Sequence, residues 1–144
     1  MDRSQTRIAP AAPMELWAVG IVSLLWNTFG VLDYTLTKLH NSSWLTSMQV
    51  DPAMLAAIDA APLWSTAGWA LGVWGSFAGS LLLLARSRHA AAAFTVSLVG
   101  ALVSFAWQMS AGLIATPALP LFILAVVLAL WWYSRRAAAK GWLR

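Results

Sequence analysis

Apolar residues fall in four long blocks, at about residues 14–35, 63–85, 90–114 and 117–134, separated by polar stretches. A membrane-crossing helix needs roughly 20 mostly apolar residues at about 1.5 Å rise each. The first three blocks meet that length. The fourth is shorter and opens on two prolines. With Thr116 as N-cap, Pro117 falls at N1 and Pro120 at N4. The first four helical N–H groups have no intrahelical partner, so neither proline removes a helical bond. The spacing predicts one helix that runs on through Ala137, Ala138 and Ala139.

The connection 36–62 holds two short amphipathic stretches. Trp44, Leu45 and Met48 share one face of the first. In the second, Asp51 is placed to cap a helix with Pro52 at N1, and Met54, Leu55 and Ile58 form its apolar face. Both are expected as surface helices lying flat at the non-cytoplasmic side. Asn41-Ser42-Ser43 matches a glycosylation sequon, a three-residue pattern too common to carry weight. The pattern as a whole predicts an all-α membrane protein. One domain, residues 1–144, forms an up-down bundle of four transmembrane helices.

Composition and charge agree. Hydrophobic residues make up 60% and charged residues 10%, against about 45–50% and about 25% in soluble domains. Arg3, Arg7, Arg86, Arg88, Arg135, Arg136, Lys140 and Arg144 flank the blocks on one side, and only Lys38 lies on the other. This predicts cytoplasmic termini and reads the +4 net charge as an orientation signal rather than a nucleic-acid surface. The first block is too long for a signal-peptide core and is interrupted by Asn27 and Asp33, so it is expected to be retained.

Small and polar residues mark helix contacts inside a membrane, where close packing and hydrogen bonds replace the hydrophobic drive. Three blocks carry such a stripe at helical spacing. They are Gly20, Ser23, Asn27, Gly30 and Tyr34 in the first, Ser65, Gly68, Gly72, Gly75 and Gly79 in the second, and Ser97, Ala101, Ser104, Gln108 and Ala111 in the third. Span four has none. Spans one to three are therefore expected to form the tight core, with span four packed more loosely or turned to lipid or a partner.

Candidate chemistry is sparse. Asn27 lies near the middle of span one, where an unbonded amide costs a few kcal/mol. It reads either as helix–helix glue or as a ligand contact. Asp33 sits two residues from the end of its span, placed to be solvated, to pair with Lys38 or to serve a proton or ion path. Gln108 lies on the same side in span three. An Asp33–Tyr34–Gln108 cluster follows if spans one and three touch. Trp17, Trp131, Trp132, Trp142, Trp44 and Trp64 fit interfacial belts. Trp26, Trp69, Trp74 and Trp107 lie deeper, as packing volume or as stacking surfaces for a lipid, quinone or pigment. The absence of cysteine excludes disulfides and thiolate chemistry. His40 and His89 lack metal-ligand spacing, and no nucleophile elbow, Walker A loop or dinucleotide fingerprint occurs. No catalytic residue, metal or cofactor is predicted, and an enzyme is not expected.

Two stretches carry a resemblance. Leu25-Trp26-Asn27-Thr28-Phe29-Gly30 resembles a W-N-x-x-G signature. Ser134-Arg135-Arg136-Ala137 through Lys140-Gly141-Trp142-Leu143 resembles a basic tail ending in Gly-Trp-Leu. Together they resemble a family of small four-span proteobacterial membrane proteins often labelled "sugar transporter". The resemblance implies a bacterial inner-membrane location and a four-span layout. The expected function is that of an accessory or scaffold subunit of a larger membrane complex, with the bilayer, other membrane subunits or its own copies as partners. The alternatives are an oligomeric small-solute transporter and a binder of quinone, pigment or lipid.

Overall fold

A computed structural model describes residues 11–144. Six helices follow in order: α1 (Met14–Lys38), α2 (Ser42–Ser47), α3 (Pro52–Asp59), α4 (Leu63–Leu84), α5 (Ala90–Ser110) and α6 (Ala118–Ala139). Helices α1, α4, α5 and α6 are long and apolar enough to cross a membrane. They are the four sequence blocks, and no strand occurs among the described residues. The chain is an integral membrane protein built as an all-α four-helix bundle.

Helix ends differ from the sequence reading in three places, each for a local reason. α1 runs a turn further than expected, to Lys38. α5 stops at Ser110, four residues short of the apolar block, because Gly112 turns to φ +68°. Its N–H reaches the Met109 carbonyl, and the Leu113 N–H reaches Gln108, which closes the helix with a left-handed cap. α6 starts one residue late, with Pro117 rather than Thr116 at the cap. Pro120 still falls within the first four positions, so the single helix forms and continues to Ala139.

The surface helices α2 and α3 both form. Asp51 Oδ1 accepts from the Met54 N–H at 2.7 Å, with Pro52 at N1. Asn41, the first residue of the sequon match, caps α2 by accepting from the Trp44 N–H at 2.9 Å.

The long helices pack in chain order, α1 on α4, α4 on α5 and α5 on α6, with the α4–α5 contact the most extensive. A cluster of Leu16, Leu83, Ala90, Phe94, Val127, Leu130, Ala137 and Leu143 fills one end of the bundle. It joins the start of α1, the α4–α5 turn, the end of α6 and the tail, so both ends of the described chain lie at this end. The tail is stitched to the turn by the backbone. The Arg88 N–H donates to the Arg144 carbonyl (2.8 Å), and the Arg144 N–H donates to the Arg86 carbonyl (2.6 Å).

Candidate functional site

The α4 glycines face α5, as small-residue stripes should. A Cβ on Gly68 would lie 2.9 Å from the Gly100 carbonyl oxygen, and one on Gly75 would lie 3.0 Å from the Ser97 nitrogen. Gly72 meets the Ala101 backbone, and Gly79 lies against the ring of Phe94. Ser97 Oγ donates to the Gly72 carbonyl across this seam. Ser104 is buried on the same face of α5. The sequence stripes missed Gly100, the position where the two backbones come closest. A Cβ there would meet the Gly68 carbonyl at 2.6 Å and the Gly72 nitrogen at 2.8 Å, so only glycine lets the two backbones approach this closely.

Asn27 is buried, with 6% of its surface exposed. Its Nδ2 donates to Ser80 Oγ at 2.8 Å and to the Ser76 carbonyl at 3.3 Å. The α1 stripe therefore meets a second face of α4, marked by Ser76 and Ser80 four residues apart. That spacing is a readable signal in the sequence, beside the more conspicuous glycines of the same helix. An amide bonded across a helix seam ties α1 to α4 in a medium that offers it no water.

The structure does not gather the cluster of Asp33, Tyr34 and Gln108. Asp33 Oδ1 accepts from the indole N–H of Trp44 on α2 at 3.0 Å. The Tyr34 ring packs edge-on against Trp69, with centroids 4.9 Å apart. Gln108 Nε2 donates to Ser104 Oγ, one turn back on its own helix. The reason is helix order, because α1 packs on one face of α4 and α5 on another. Nor does Asp33 pair with Lys38. Lys38 reaches Asp59 at the end of α3 (3.8 Å), and so does His40 (3.0 Å). Trp44 is folded over Phe29 and Asp33, so it holds the loop helix to α1.

The deep tryptophans separate. Trp69 packs on Tyr34, Trp74 on Phe77 and Trp26 on Phe122 of α6. Trp107 is half-buried and makes no ring pair among the described residues. Trp26 and Phe122 line an apolar groove of about 440 Å³ between α1 and α6, together with Val22, Ser23, Val126 and Leu130. A second apolar groove, about 450 Å³, lies on the outer surface where Gly68 and Gly100 leave a dent, with Trp64 at one end.

α6 is the least enclosed span. Of its central residues 17% are buried, against 28–33% in the others. Its second half is nonetheless anchored through Val127, Leu130, Ser134 and Ala137. Leu121, Ala125, Leu128 and Trp132 point outward, with Leu121 61%, Leu128 50% and Trp132 54% exposed.

Among the described residues no group of three His, Asp or Glu side chains is placed to hold a metal. Compared with family models, with curated proteins and with solved structures, the chain matches none.

Proposed function

We propose that this chain is a non-catalytic accessory or scaffold subunit of a larger complex in a bacterial inner membrane, inserted with both termini cytoplasmic. The observation that carries the reading is the outward stripe of α6. Leu121, Ala125, Leu128 and Trp132 are spaced four, three and four residues apart, the seam spacing by which one helix seats on another. The polar side chains of the spans support it from the other direction. Asn27, Ser80 and Ser97 are bonded across helix seams, so a solute path through the bundle would have to break those bonds. The orientation rests on the basic residues gathered at the end that holds both described chain ends.

The test is gentle extraction from the native membrane, followed by the mass and composition of the purified particle. The expected result is a stoichiometric partner of different sequence. An Ala125→Trp/Leu128→Ala variant should insert and fold but lose that partner. Recovery of the chain alone, or only with copies of itself, would overturn the subunit reading. It would move the case to an oligomeric transporter with its path between protomers. Retention of the partner by the variant would overturn the α6 assignment alone.

A further inference from the structure

We propose that the end of the bundle where the α4–α5 turn meets the C-terminal tail is a binding site for the phosphodiester headgroup of anionic phospholipids. Charge is divided unequally between the two ends. Arg86, Arg88, Arg135, Arg136, Lys140 and Arg144 stand at one end, where Glu15 is the one acidic side chain among the described residues. Asp33, Asp51 and Asp59 stand at the other end with Lys38. The folded tail turns that asymmetry into a built surface. Arg86 Nε donates to the Trp142 carbonyl at 2.8 Å, and the two backbone bonds between tail and turn set Arg144 beside Arg86 and Arg88. Lys140 Nζ lies 4.3 Å from the centre of the Trp142 ring, which draws it into the same cluster. Leu143 is buried beneath, so the tail is seated from below as well as tied at its edge.

One turn away, Arg135 lies over Trp131 at 5.1 Å and Arg136 over Trp132 at 5.2 Å. Indoles settle at the headgroup level of a bilayer, so these pairs hold their cations where lipid phosphates lie. Arg88, Lys140 and Arg144 are exposed and make no ion pair with a carboxylate side chain among the described residues. The ligand that matches is a singly charged phosphate on an apolar body: the phosphate meets the cations, and the acyl chains lie against the spans. Juxtamembrane cations of this kind favour anionic over zwitterionic lipid, each by about a factor of five.

The experiment uses the full chain in mild detergent, titrated with phosphatidylglycerol, phosphatidylcholine or inorganic phosphate. Lipids retained are counted by native mass spectrometry, and thermal stability is followed in parallel. The expected result is selective retention of phosphatidylglycerol with a raised Tm. Neutralising Arg88, Lys140 and Arg144 to Gln should weaken that preference roughly a hundredfold while the helical content stays unchanged. Lys38→Gln at the other end should leave it intact. Equal retention of the two lipids, or the same stabilisation by inorganic phosphate, overturns the proposal. So does a triple variant that keeps the preference, or a Lys38→Gln variant that loses it. A native-membrane particle with or without a protein partner bears only on the subunit reading, so the two ideas fail separately.

Discussion

Along the α4–α5 seam, glycine and serine let two backbones meet, with the Gly68 carbonyl against Gly100 and the Gly72 carbonyl accepting from Ser97. Along the α1–α6 seam only long side chains reach across. Trp26 touches Phe122 edge-on, and a groove is left between the helices. A soluble bundle would gain by closing that groove, because water would leave it. In a bilayer, lipid chains fill it as well as a leucine would, so bulky apolar residues give no drive to close. Small residues pack tightest here because they allow the most atom-to-atom contact, and the apolar-rich seam stays open.

The largest expected effect comes from adding atoms to the tight seam. Gly100→Leu must push the α4 backbone away and should cost about 3 kcal/mol or abolish folding, read by thermal unfolding in detergent. Ala18→Leu adds similar bulk in the α1–α6 groove and should cost less than about 1 kcal/mol, since the groove has room for it. Equal penalties would break the comparison.

Polar seams give the next tier. Asn27→Leu removes both bonds to α4 and should cost about 1 kcal/mol, near the range for hydrogen bonds between membrane helices. Gln108→Leu, which loses only a bond within its own helix, should change stability by less than about 0.5 kcal/mol. A larger loss at Gln108 than at Asn27 would mean that α5 has a polar neighbour at that level.

A small net gain is expected at one loop position, where glycine's larger loss of chain freedom offsets most of the strain it relieves. Gln49 follows α2 at φ +56°, a conformation that costs a non-glycine residue about 1 kcal/mol. Gln49→Gly should raise Tm slightly, and a fall would point to a side-chain role for Gln49.

Much of this was legible. Apolar block length alone fixes four spans, because lipid satisfies no backbone group and only whole helices cross it. Asp51-Pro52 announces α3 through a cap whose chemistry is local. The α4 and α5 stripes could be read because two small-residue faces at helical spacing have little else to do than meet. What could not be read was which face of α4 meets which neighbour. Ser76 and Ser80 lie on the same helix as the glycines, yet they serve α1 rather than α5, and helix order decides that. The Asp33–Tyr34–Gln108 cluster failed for the same reason. Depth along the chain put the residues at one level, but α4 stands between their helices.

The sequence by itself thus determined the spans, the loop helices and the unequal charge of the two ends, all set by local chain chemistry against lipid and water. The tertiary structure decided the partners: Asn27 with Ser80, Asp33 with Trp44, Gly100 with Gly68, and the tail with Arg86 and Arg88. Each pairing joins residues distant in the chain, or in separate helices, whose meeting depends on how whole helices are ordered and rotated. Many such orders bury similar apolar area in a membrane, so close contact and a few hydrogen bonds select among them.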